Sequence, residues 1–185
     1  MVNEEAFSIE NETEKIISRL RRLKGKDCVI AEIDEIHSFR LEIELIDILT
    51  RVYKMRGVAI CVSRPALYLQ RVLASRNVTA DELYFIDTIK CISGAMNEEE
   101  VSKWLRNTSL LGSPFDLDAI IKTLRATVEK LKGSEHFIIL DSIVPIVLYW
   151  DDSKIEAFLK LLKELPKEYG SNVIITIPKT CKGVS

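Results

Sequence analysis

Apolar positions along the chain switch repeatedly between a helical period and short continuous runs. Ile16, Ile17, Leu20 and Leu23 recur at helical spacing and Gly25 follows as a stop, which predicts an amphipathic helix over residues 12–24. "CVIAEI", residues 28–33, is the nearly continuous apolar run expected of a strand covered on both faces. Leu41, Leu45, Ile48, Leu49 and Val52 then mark a helix over 41–53, with Glu42, Glu44, Asp47 and Arg51 as its wet side. Asp47 and Arg51 stand at the favourable i, i+4 spacing for an ion pair. "GVAICVS" reads as the next strand, and Pro65 can occupy the first turn of a helix carrying Leu69, Val72 and Leu73.

"ELYFIDTI" is a further strand. Asn97 with Glu100 resembles a capping box that opens a short helix through Val101, Trp104 and Leu105. "SLLGSP" reads as a loop with a small strand at its start. Ser113, Pro114 and Asp116 form a helix start, followed by Leu117, Ile120, Ile121, Leu124, Val128 and Leu131 on one face. "HFIILDSI" is the most apolar strand, with Asp141 at its carboxyl end. Ser153 and Glu156 are placed to cap a last helix through Ile155, Leu159, Leu162 and Leu165, closed by Pro166 and Gly170, and "NVIITIP" supplies the final strand. Strands alternating with helices imply right-handed crossovers and a mainly parallel sheet between two helical layers, a three-layer αβα architecture. No repeat or linker divides the chain, so residues 1–185 are expected to form one domain, with 1–25 a helical extension and 26–178 the core.

Composition narrows the function classes. Hydrophobic residues at 47% and charged ones at 29% are ordinary for a folded globular chain. The balance of 26 basic and 28 acidic side chains, a net charge of −2, supplies no global field for nucleic acid or an anionic membrane. Arg19, Arg21, Arg22, Lys24 and Lys26 are the one basic cluster, and they read first as a solvated helix face. Cys28, Cys61, Cys91 and Cys181 are too scattered for a zinc site, and with only His37 and His136 beside them they fit a reducing compartment. "MVNEEAFSIENETEK" is acidic and lacks the apolar stretch of a signal peptide, and no later run reaches bilayer length, so a cytoplasmic location is expected.

Ligands of open α/β sheets bind beyond the carboxyl ends of the strands. The residues placed there are Asp34 and Glu35, Ser63 and Arg64, Asp87, Asp141 and Ser142, and Lys179. The run ending in Asp141 and Ser142 suits a carboxylate that orients magnesium at a phosphate, although an Asp at a strand end equally suits a turn or a helix cap. His37 reads as a surface histidine at a helix start. No Ser-His-Asp set or metal cluster is legible, so no catalytic residue and no metal ligand is nominated.

Three stretches resemble the RecA/KaiC-like ATPase superfamily, especially its divergent archaeal members. They are "GVAICVSRPALYLQRVLASRNVTADELYFIDTIKC", "LLGSPFDLDAIIKTLRATVEKLKG" and "EHFIILDSIVPIVLYWDDSKIEAFLKLLKEL", and the resemblance spans about residues 26–178. It implies that Asp141 stands at the family's Walker B carboxylate. It also implies a phosphate loop, G-x-x-x-x-G-K-[ST], after the first strand, whose glycines let backbone N–H groups approach phosphate and whose lysine neutralises it. "IDEIHSFR", residues 33–40, fills that frame. Ile33 and Ser38 replace the glycines, Phe39 the lysine and Arg40 the hydroxyl, while Asp34 and Glu35 add negative charge. Ser63 and Arg64 stand where KaiC-like members carry the carboxylate pair that activates water. A vestigial Walker B Asp141 without either partner implies a noncatalytic relative with no cofactor.

Three readings follow. The first is a pseudo-ATPase serving as a regulatory or scaffold binding module. The second is a nucleotide sensor or weak NTPase with a non-standard site, in which Arg40 or Arg64 holds phosphate and Asp141 and Ser142 face magnesium; both arginines read first as solvated helix-start residues. The third is a phosphoacceptor receiver domain using Asp34, Glu35, Asp87 and Lys179, which the lengths of the elements disfavour. The resemblance implies a first strand with neighbours on both sides, one of them a strand beyond the last one here, after which only "KTCKGVS" follows, so one flank of "CVIAEI" is expected to be covered by the N-terminal helix, by a second copy in a homodimer or by another protein partner. Neither a membrane nor nucleic acid is expected as a partner.

Overall fold

The structure, a computed structural model, describes residues 2–23, 28–34, 37–78, 80–89, 107–111 and 115–179. The helix expected around Asn97 to Leu105 lies outside the described residues. Among the described residues six strands form one sheet: β1 (Cys28–Ile33), β2 (Arg56–Cys61), β3 (Leu83–Asp87), β4 (Thr108–Leu110), β5 (His136–Leu140) and β6 (Asn172–Pro178), in the order β1-β6-β5-β2-β3-β4. Every pairing is parallel. The carboxyl ends of all the strands therefore line one edge of the sheet.

Six α-helices flank it among the described residues: α1 (Val2–Leu23), α2 (Ser38–Asp47), α3 (Ala66–Ser75), α4 (Leu117–Lys130), α5 (Val144–Tyr149) and α6 (Asp152–Tyr169). Alternate residues of each central strand feed opposite cores. Ala59, Cys61, Phe85, Phe137 and Ile139 pack against α1, α2 and α3. Val58, Ile60, Ile86, Ile138 and Leu140 pack against α4, α5 and α6. Burial on both faces is why these strands read as continuous apolar runs rather than alternating ones. Gly57 makes room for its cross-strand partner within the sheet, since a Cβ there would come within 2.3 Å of the Phe137 ring of β5.

Several expectations are corrected. α1 begins near Val2 rather than at residue 12, and it turns Thr13, Ile16, Ile17 and Leu20 into the core. β1 is not covered on both faces. Val29, Ala31 and Ile33 are buried under α1 and α2, but Ile30 is 47% exposed and Glu32 is also exposed. The reason is position, since among the described residues β1 is an edge strand whose one partner is β6. Val52 is 67% exposed, because α2 passes into a π-helical turn, Ile48–Val52, whose wider winding rotates Val52 off the apolar stripe.

The last helix is capped by Asp151, which accepts the Lys154 amide at 3.0 Å, and the Ser153 hydroxyl donates to that same carboxylate at 2.6 Å. The short α5, which the apolar pattern did not separate from the preceding strand, ends just before it. Pro166 does not close α6, which continues to Tyr169 and stops at Gly170 in the left-handed conformation, φ 70°. Asp116 caps α4 as expected, accepting the Ala119 amide at 2.9 Å. Among the described residues no helix is long and apolar enough to cross a membrane.

Candidate functional site: the carboxyl edge of the sheet

β5 and β2 are neighbours, so Asp141, one residue past the end of β5, faces the turn that leaves β2. Its backbone amide donates to the Ile60 carbonyl at 3.2 Å. Its carboxylate then collects the whole turn. One oxygen accepts the Val62 amide at 2.9 Å; the other accepts the Ser63 amide at 2.9 Å, the Ser63 hydroxyl at 2.7 Å and the Arg64 amide at 3.3 Å. Successive N–H groups curled around a carboxylate make an anion nest, and here the anion is supplied by the chain itself. From the other side Thr176 donates its hydroxyl to the Asp141 carbonyl at 2.6 Å. Burial pushes the Asp141 carboxyl up from its ordinary value, while the hydrogen bonds from Ser63 and Val62 and the charge of Arg64 act against that rise.

Asp87, at the end of β3, does the same for α3. It accepts the Ala66 amide at 2.8 Å, capping the helix that Pro65 cannot cap, and the Ile89 amide at 2.8 Å. Both strand-end aspartates thus act as turn and helix caps, one of the two readings that their position allowed.

Arg64 leaves the nest sideways. Its guanidinium lies over the Phe39 ring, 4.5 Å from the centroid, with Glu42 Oε2 and Ser38 Oγ each 3.5 Å away. Phe39 in turn stacks on Tyr68, ring centroids 5.2 Å apart. Arg64 is therefore a half-buried partner of α2 and not a solvated helix-start residue. Glu42, assigned to the wet side of its helix, is 1% exposed, and its second oxygen has no hydrogen-bond partner among the described residues. Burial drives the Glu42 carboxyl well above the ordinary range, the Asp141 charge adds to that, and Arg64 opposes it. The Cys61 thiol beneath is pushed well up by burial, then by Asp141, Glu42 and Asp87, which keeps it protonated and unreactive.

The structure brings Arg64, Ser63 and Asp141 together with Glu42, a residue the sequence reading missed. A helical projection marks it, because Glu42 stands four residues before Ile46 and seven before Leu49, in the middle of the apolar stripe. Arg40 is exposed on α2, apart from this group. Ser142 accepts the Val144 amide at 3.2 Å. Asp34 is exposed and its carbonyl accepts the His37 amide at 2.9 Å, Lys179 is exposed, and Glu35 lies outside the described residues. Arg19, Arg21 and Arg22 are exposed on α1, with the Arg21 guanidinium 5.8 Å from the Tyr53 ring centroid; Asp47 pairs with Arg51 as expected, but it is buried and not on the wet side of its helix. Cys28 is half-buried, and Cys61 is a buried thiol.

A parallel six-stranded sheet between two helical layers, with its polar residues gathered at the carboxyl edge, places the chain in the RecA/KaiC-like fold class. Among solved structures it is similar to a KaiC-like protein from the hyperthermophilic archaeon Pyrococcus horikoshii OT3. The TM-score is 0.59 at 16% identity, over 88% of this chain and 66% of that one. It is also similar to an uncharacterised protein from Pyrococcus horikoshii solved in complex with an unknown peptide, with a TM-score of 0.55 at 15% identity, over 82% of this chain and 68% of that one. The chain thus spans about two thirds of each neighbour, and at these identities the likeness is one of fold. No family model and no curated protein matches the sequence.

Glu42 yields a pH signature. A carboxyl whose folded-state value is raised contributes stability that is fully present below its ordinary value of 4.5, and that stability is lost as pH rises through the raised value. Glu42→Gln removes this titration. Its stability relative to the parent, from urea unfolding, is expected to grow between about pH 4 and pH 8. A difference that stays constant with pH would show that Glu42 is not held in this way.

Proposed function

We propose that this chain is a noncatalytic member of the RecA/KaiC-like fold class, a pseudo-ATPase that serves as a regulatory or scaffold binding module. The observation that carries the reading is the commitment of the Asp141 carboxylate to the turn at 62–64. A magnesium-orienting carboxylate needs oxygen lone pairs directed at the ion or its water, and those of Asp141 are spent on amides and a hydroxyl. The residues facing it do not suit a polyphosphate either. Glu42 and Asp141 are both buried acids, and the nearest cation, Arg64, is engaged by Glu42 and the Phe39 ring. The neighbour solved with an unknown peptide lends the binding-module reading support from the same fold.

A nucleotide sensor using Arg40, Arg64, Asp141 and Ser142 is the second reading, favoured by the partial exposure of the Arg64 guanidinium at the strand edge. It would require Arg64 to leave Glu42 and Asp141 to leave its nest. The open flank of β1, where Ile30 and Glu32 are exposed, supports a homodimer or protein partner along that edge. The protein is read as cytoplasmic and as lacking a cofactor.

Two measurements test these readings. The thermal midpoint of the purified protein is expected to stay unchanged with millimolar Mg-ATP at matched ionic strength. A nucleotide at a hundredfold over its dissociation constant stabilises by ~2.7 kcal/mol, a rise of roughly 5 to 10 °C in a domain of this size, and a rise of that size would overturn the noncatalytic, nucleotide-free reading. Light scattering is expected to give a mass above the monomer that Ile30→Lys lowers; a clean monomer for the parent chain would remove the proposed self-association along β1.

A further inference from the structure

A groove on the opposite helical layer, between α4 and α6, encloses about 400 Å³. Its floor is aliphatic and aromatic, from Leu117, Ile121, Phe158 and Leu161, and Tyr149 and Trp150 form one wall. That wall is held in place. The Trp150 indole donates to the Phe115 carbonyl at 2.9 Å, Tyr149 meets Trp150 edge-on with centroids 5.2 Å apart, and Phe115 lies 5.4 Å from Tyr149. Beside it Leu148 is 82% exposed and Tyr149 63% exposed, although α5 is otherwise anchored by fully buried Ile146. An apolar groove with adjoining exposed large side chains on a folded chain marks an interaction surface.

The charges around the groove say what it fits. Asp116 and Asp118 lie on its rim, and Asp151 and Asp152 follow the aromatic wall in sequence; all four are exposed. Asp116 and Asp151 hold helix caps and Asp151 has its carboxyl lowered by the hydrogen bonds from Ser153 and the Lys154 amide, so it keeps its charge. Among the described lining residues the cation is Lys154, and its amino group lies 3.9 Å from the Trp150 ring centroid, a cation on the face of the wall. The groove's lining thus carries two carboxylates against one cation, and its aromatic faces accept cations.

We infer that the α4–α6 groove docks a cationic amphipathic segment of a partner protein, one that places Leu, Phe or Trp anchors on the floor and Arg or Lys against the rim carboxylates and ring faces. This helix-in-groove or extended-peptide mode needs no rearrangement of the fold. The inference deepens the binding-module reading proposed above and rests on it.

The test is selection of a displayed library of random dodecapeptides on the full chain, followed by fluorescence titration of the most enriched peptide. Enriched sequences are expected to combine Arg or Lys with Leu, Phe or Trp. Their affinity is expected to fall about tenfold or more on Tyr149→Ala, as for an exposed aromatic anchor, to fall similarly on Asp118→Lys and with added salt, and to be unaffected by Ile30→Lys on β1. Both groove substitutions are at exposed positions, and an unchanged unfolding midpoint verifies that each variant is folded. No enrichment, acidic or uncharged winners, binding indifferent to both groove variants, or self-association abolished by Tyr149→Ala would each overturn the inference. Mg-ATP stabilisation alongside intact peptide binding would sink only the nucleotide-free reading, whereas silent groove variants without a nucleotide effect would sink only this one.

Discussion

The Asp141 carboxylate ties the ends of two neighbouring strands together, and the geometry of the carboxyl edge follows from that tie. Without it, the amides of Val62, Ser63 and Arg64 would leave β2 with no partner in a half-buried turn. Orphaned donors of this kind cost about 1–3 kcal/mol each, so the turn has one strongly preferred conformation. That conformation starts α3 at Ala66 under the Asp87 cap and sends the Arg64 side chain toward α2. The same carboxylate that a nucleotide site would direct at magnesium is here the centre of a fully internal hydrogen-bond set.

Electrostatics at this edge explain why α2 and α3 lean together. Arg64 bridges them through Glu42, Ser38 and the Phe39 ring, and Tyr68 of α3 stacks on Phe39 from its own side. Ser38 and Phe39, at the start of α2, thus pack against Arg64 and Tyr68 between the two helices. Glu42 is the costly member of this group, a buried acid beside a second buried acid with one long contact to a cation. Burying a carboxyl with so weak a partner is a poor source of stability, and it favours the neutral form. The other side of the sheet shows the opposite character: an aromatic wall and an apolar floor with the exposed carboxylates of Asp116 and Asp118 and the Lys154 amino group at the rim, and no buried charge among the groove's residues.

Period and punctuation made the element order legible, because strands buried on both faces carry unbroken apolar runs and helices such as α4 and α6 carry clean stripes. The exposed face of β1 was not legible, because "CVIAEI" reads alike in the centre and at the edge, and only the strand order distinguishes them. The helix stripe concealed Glu42 only while charged residues were assumed to face water; its spacing to Ile46 and Leu49 places it inside. Asp141 was found at its strand end, yet its role depends on a turn 77 to 79 residues earlier in the chain, and Arg64 depends on a carboxylate 22 residues away. Local pattern carries no information about either pairing. The groove was missed for a related reason: its wall comes from α5, a short helix whose apolar run resembles a continuation of β5.

The most direct test of this account is residue-resolved amide hydrogen exchange at Val62, Ser63 and Arg64 in the native protein, with and without millimolar Mg-ATP. An Asp141 carboxylate engaged as described predicts that the three amides exchange only on global unfolding, as slowly as those of β2, and at a rate that the nucleotide leaves unchanged. Rapid exchange at these positions, or exchange that Mg-ATP alters there alone, would show that the carboxylate is free to serve a ligand and would contradict the account.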